Sequence, residues 1–182
     1  MDQLFAPWRI EWVERDTPDE GDGCVFCQFA ADDADRTNRV VARNGTGFVL
    51  LNNYPYNPGH VMVIPEIHTG DIRSLEPEMM LPIGSLIQAT IDALEAAIEP
   101  DGYNVGMNLG RHAGGSIRDH LHVHVVPRWG GDTNYMPVIA DTTVIVQAVE
   151  ETYDRLYGTF AELPGATVHD ETTAVDLSGQ FD

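Results

Sequence analysis

The sequence predicts an α+β fold built on an antiparallel sheet, on three observations. Two strand-like runs flank an Asn-Gly pair, one long stretch carries apolar residues at three- and four-residue steps, and "HLHVHVV" alternates histidine with aliphatic residues. Hairpin strands followed by a long helix and more strands describe this class. No Gly-rich strand-to-helix fingerprint of a dinucleotide-binding fold occurs.

Taken in order, acidic "DTPDEGDG" (16–23) reads as a surface loop, and "CQFAADDADRTN" as a short helix and loop. "RVVAR" (39–43), "GFVLLN" (47–52) and "HVMVIP" (60–65) read as strands, the first two joined by Asn44-Gly45. "NNYPYNPG" turns the chain, since its prolines cannot sit in a central strand. From Pro77 to Ile98, the residues Met79, Met80, Ile83, Leu86, Ile87, Ile91, Leu94 and Ile98 mark a helix with one buried face. Pro77 suits its first turn, whereas Pro82 predicts a kink or a restart. "YNVGMNL" (103–109) is a further strand, 110–116 a Gly-rich loop, 120–126 the histidine strand and 144–157 a closing helix. Residues 1–160, with the N-terminal segment 1–23 included, are expected to form one domain, and 161–182 an acidic, aperiodic, flexible tail.

Asp plus Glu number 29 against ten basic residues, every one an arginine, for a formal charge of -19 over 182 residues. Repulsion on this scale fades at molar salt, where the Debye length is about 3 Å, so the composition points to a halophilic, high-salt cytoplasm. It argues against nucleic acid as a partner, which needs clustered basic residues. An anionic substrate must therefore be drawn by a local site. No apolar run reaches the length of a membrane span and no secretory pattern opens the chain, so a cytoplasmic protein without membrane attachment is expected. Two cysteines are too few for a disulfide framework. "CVFC" has zinc-knuckle spacing, but a tetrahedral site needs two more ligands.

Period-two alternation places His120, His122 and His124 on one face of a strand. Three readings of that face compete: a solvated polar edge, a metal site made by the triad, and covalent chemistry in which one imidazole attacks while its neighbours orient it. Neutral imidazole suits the third, because its ordinary pKa of about 6.5 leaves a free lone pair near neutrality.

"HLHVHVV" fits the pattern His-φ-His-φ-His-φ-φ, φ being apolar. With "APWRIEW", "CVFC", "NNYPYNPGHVMVIPEIH", "GMNLG" and "VVPRWGGDTN" in order from about Leu4 to Tyr157, it resembles the histidine triad family, in the branch containing diadenosine tetraphosphate phosphorylases. The resemblance implies a five-stranded antiparallel sheet with one long helix and a C-terminal helix, a homodimer, and cleavage of dinucleoside polyphosphates at the α-phosphorus through a nucleotidyl-histidine. It assigns attack to His122, assistance to His124 and a place beside the ribose to Asn52, while the loop "GMNLGRHAGGSIRD" offers Asn108, Gly115 and Ser116 as substrate-binding donors to the charge that develops on the phosphoryl oxygens. Dinucleotide hydrolases of the family carry glutamine where Ser116 stands, so their substrate preference does not transfer. It also implies structural Zn²⁺ on Cys24, Cys27, His68 and His120, and Mg²⁺ accompanying the nucleotide. Hydrolase and phosphorylase stay open, as do a non-catalytic nucleotide sensor and a metalloenzyme using all three histidines as ligands.

Overall fold

The computed structural model describes residues 23–110, 112, 113, 117, 119–132 and 149–180. The "APWRIEW" stretch, Gly115, Ser116 and the expected helix start at 144–148 lie outside the described residues.

Two short helices come first, α1 (Val25–Ala31) and α2 (Asp35–Asn38). Three strands follow, β1 (Val40–Arg43), β2 (Gly47–Leu51) and β3 (Val61–Pro65). Beyond a 3-10 turn at Ile72–Ser74 lie the long helix α3 (Pro77–Ile98), β4 (Gly102–Gly106) and β5 (Val123–Arg128). Helix α4 (Val149–Ala161), β6 (Val175–Asp176) and a 3-10 turn at Ser178–Gln180 follow. The sheet order is β4-β5-β3-β2-β1-β6, antiparallel throughout except for the parallel β1–β6 pair.

The expected hairpin forms around Asn44, whose side-chain oxygen accepts from the amides of Thr46 and Gly47 while Gly45 takes φ +75°. Strand alternation divides the core between two faces. Val49, Leu51, Val61, Val63, Val123 and Val125 meet α3 and α4 on one, through Leu86, Leu94, Leu156 and Phe160. Phe48, Leu50, Met62 and Ile64 meet Phe26 of α1 on the other. His124 alternates with Val123 and Val125, so it lies on the α1 side of the sheet.

Four expectations are corrected. Helix α3 runs unbroken through Pro82, because the proline falls in the second turn and frees only the carbonyl of exposed Glu78. The histidine strand begins at Val123 rather than His120. Pro65 at the end of β3 has no N–H to continue the ladder, and Leu121 donates instead to the Thr69 carbonyl, 2.7 Å away. Among the described residues the sheet has six strands rather than five. The segment 161–182 is not a loose tail in its described part: β6 pairs with β1, and the Leu177 amide donates to the Arg43 carbonyl at 2.7 Å. Val175 and Leu177 are fully buried, which stabilises the segment by about 2 kcal/mol per side chain.

Candidate active site and metal centre

Cys24 precedes α1 and Cys27 sits in its first turn, so one short helix presents both thiols. His68 follows β3 and His120 precedes β5, and antiparallel pairing brings those strand ends together. The four ligand atoms lie within 4.8 Å of one another. Cys24 Sγ is 3.3 Å from His120 Nδ1, and Cys27 Sγ is 3.1 Å from His68 Nδ1 and 3.6 Å from His120 Nδ1. Around a tetrahedral ion with metal–sulfur bonds of about 2.3 Å and metal–nitrogen bonds of about 2.0 Å, neighbouring ligand atoms fall in this range. His120 Nε2 donates to the Pro65 carbonyl at 2.7 Å, leaving the Nδ1 lone pair free for a metal. Burial, then the adjacent Cys24 thiol, push the Cys27 thiol up, the crowding a cation would relieve. The donor set is that of a thiophilic ion, and Cys24, Cys27, His68 and His120 fit it.

His122 Nδ1 lies 3.0 Å from the His120 carbonyl. A carbonyl can only accept, so the proton resides on Nδ1 and Nε2 carries the free lone pair. His122 is 6% exposed, and burial lowers its pKa below the ordinary 6.5 against the opposing effect of that hydrogen bond. The ring is therefore neutral at pH 7. Phe26 stands edge-on to His120 and His122, with ring centroids 5.5 Å away in both cases. The helix that offers the thiols thus also packs against His122.

His60, which carries no signal of a role in the sequence, is completely buried beside His124. The Tyr56 amide donates to His60 Nδ1 at 3.1 Å, so that nitrogen is unprotonated and Nε2 holds the hydrogen. His60 Nε2 lies 3.0 Å from His124 Nδ1, to which it donates, and His124 is left with its proton on Nε2. One backbone amide fixes the tautomers of two imidazoles in series. Tyr56 also stacks on His60 with centroids 4.9 Å apart. In the sequence His60 is an isolated histidine before an apolar run, and its partner stands 64 residues away. The result is a complementary pair: His122 offers a lone pair, and His124, with centroids 4.9 Å apart, offers an N–H.

Asn52 lies at the end of β2, where its oxygen accepts from the Tyr54 amide at 2.9 Å and its amide reaches Met62 Sδ at 3.8 Å. Met62 is paired across the sheet with His124, which puts Asn52 on the histidine side. Asn108 is exposed in the loop after β4, two residues beyond Gly106, the partner of His124 in the ladder. Gly115 and Ser116 lie outside the described residues. Of the triad, only His120 joins a potential metal group among the described residues. A single ion held by all three histidines is therefore not what this geometry offers.

Comparison with known proteins finds relatives over most of the chain. Residues 34–131 match the family model of the HIT domain. The chain is 36% identical over 169 residues to the AP-4-A phosphorylase of Mycobacterium tuberculosis, covering 90% of this chain and 87% of that protein. A crystal structure of a Zn-bound histidine triad family protein from Mycobacterium smegmatis superposes with a TM-score of 0.62 at 27% identity, over 76% of this chain and 94% of that one. A hypothetical histidine triad nucleotide-binding protein from Sulfolobus tokodaii gives 0.59 at 25% identity, over 76% and 90% of the two chains. The HIT-domain match and the 36% identity over nine-tenths of the sequence, in a chain whose β5 is entered by His122 and carries His124, place this chain in the histidine triad family.

Proposed function

We propose that this protein is a nucleotidyl-transferring enzyme that cleaves dinucleoside polyphosphates such as diadenosine tetraphosphate at the α-phosphorus. The observation that carries the reading is the tautomer of His122, held by the His120 carbonyl so that Nε2 is unprotonated and neutral imidazole is available as nucleophile. His122 Nε2 forms a bond to the α-phosphorus as the bond to the departing nucleotide oxygen breaks. His124 Nε2–H stabilises the charge that accumulates on that oxygen. Water or inorganic phosphate then attacks the same phosphorus, the nitrogen–phosphorus bond breaks and His122 is restored. Asn52, Asn108, Gly115 and Ser116 supply donors to the nucleotide, and Mg²⁺ accompanies its phosphates. Likeness to the AP-4-A phosphorylase supports inorganic phosphate as the second acceptor. Zn²⁺ on Cys24, Cys27, His68 and His120 would pin His120, two residues before the nucleophile, and would take no part in the chemistry. A homodimer is proposed through β4, the terminal strand of the sheet, where Val105 is 47% exposed.

The test is incubation with diadenosine tetraphosphate in high salt, with and without phosphate. ADP plus ATP formed only with phosphate identifies a phosphorylase, and AMP plus ATP a hydrolase. Acid-labile, base-stable AMP on His122 in quenched reactions is expected, and is lost in His122→Ala. Full turnover by that variant refutes the assignment, and nucleotide binding without products identifies a sensor.

A further inference from the structure

Helix α1 has seven residues, too few to hold its shape unaided, yet it carries both thiols and Phe26. Its own last turn contains no basic residue to meet the terminal carbonyls. Arg43, on β1, does so: its guanidinium donates to the Phe29 carbonyl at 2.6 Å and to the Asp32 carbonyl at 3.4 Å. The guanidinium is held in turn by Asp35, whose Oδ1 accepts from Nε at 2.9 Å and from a terminal nitrogen at 2.5 Å. Asp35 is 5% exposed, and its second oxygen accepts from the Ala174 amide at 2.8 Å. Ala174 adjoins β6 and packs in the same apolar cluster as Phe26, with Phe29 and Ala30 against it. A second tie joins the Arg36 amide to the Thr172 carbonyl at 3.0 Å.

We propose that Asp35 and Arg43 are positioning residues through which the C-terminal strand braces the metal-bearing helix, and with it Phe26 against His122. The metal arm of this inference rests on the reading of Cys24, Cys27, His68 and His120 as ligands. The links through Arg43 and Asp35 are charge-assisted hydrogen bonds, the one from the Ala174 amide to Asp35 buried and those joining Arg43 to Asp35 and Phe29 part-buried, and the last turn of α1 has no basic residue of its own. When β6 detaches, Asp35 loses the Ala174 amide, Arg43 is no longer fixed, and the thiol-bearing helix is free to shift.

The test uses the full chain loaded with cobalt(II), whose thiolate charge-transfer band reports ligand geometry. Arg43→Met removes the donors to α1, and Ala174→Pro removes the amide that holds Asp35. Asp154→Ala, at an exposed ion pair on α4, is the control. Leaving one such buried group unmet corresponds to about tenfold weaker cobalt binding and about tenfold faster hydrogen exchange in α1 for both variants, with the control unchanged. Variants that lose global stability but keep wild-type cobalt affinity, spectrum and α1 protection overturn the proposal. Should a variant not fold, the wild-type chain decides. The amides of Ala174, Leu177 and α1 are expected to exchange as one cooperative unit with a common denaturant dependence. Exchange of Ala174 and Leu177 while α1 stays protected overturns the brace. A wild-type chain without the thiolate band refutes the metal centre, and the exchange pattern still decides the brace.

Discussion

A histidine can serve as base, acid or ligand, and in this site the atom opposite each ring decides which. A carbonyl faces His122 Nδ1 and an imidazole N–H faces His124 Nδ1, so two residues of one type acquire opposite roles. His60 meets the triad at His124, and substitutions there separate the contributions. Replacement by Ala removes the donor, and kcat is expected to fall about a hundredfold with KM little changed, the scale of a mispositioned proton donor. His60→Gln can still donate toward His124 Nδ1 and is expected to recover much of that loss. Equal kcat in the Ala variant and the wild type would eliminate the relay. The triad and the Cys-x-x-Cys pair were legible in the sequence because they repeat at short, chemically meaningful intervals. His60 was not, because nothing local distinguishes it from a histidine that opens an ordinary strand.

At the level of elements, long periodic segments were readable and short ones were not. The span of α3 follows from its apolar spacing alone, since a buried face repeats over six turns. Strand β6 offers two residues, too few to register as alternation, and its pairing depends on β1 more than 130 positions earlier. The turn before β3 is similarly contextual. Gly59 sits at φ +73°, and a Cβ there would lie 2.5 Å from Ile98 Cδ1 and 3.0 Å from Leu94 Cδ2. Gly59→Ala combines left-handed backbone strain with overpacking, and is expected to cost about 2 kcal/mol in urea denaturation and to displace His60. An unchanged midpoint would contradict this. The far end of β5 is tied to the same turn through Asp132, which accepts from Arg128 Nε at 2.5 Å and from Asn57 at 2.9 Å. Arg128 above all holds its carboxyl down at about 2, below the ordinary 3.8. The folded state therefore binds fewer protons, and the stabilisation is complete above pH about 4 and disappears as pH falls toward 2. Asp132→Asn is expected to flatten that part of the acid denaturation curve by about 1 kcal/mol after solvent screening.

For the whole molecule, net charge is the dominant variable. With a formal charge of -19, the native state is opposed by its own field at low ionic strength. Raising KCl from about 0.1 M to about 1 M shortens the Debye length from about 10 Å to about 3 Å, and the thermal midpoint is expected to climb by several degrees. A midpoint indifferent to KCl would remove self-repulsion as a factor in stability. The sheet's two borders also differ in a way that bears on assembly. On the β1 side, β6 and the Thr167 amide and carbonyl, which bond to Asp176 at 2.8 and 2.9 Å, cap the ladder with the chain's own residues. Among the described residues this border is covered against strand addition, and two copies meeting through the opposite one would leave no template for a third, so such an association would be self-limiting rather than fibrous.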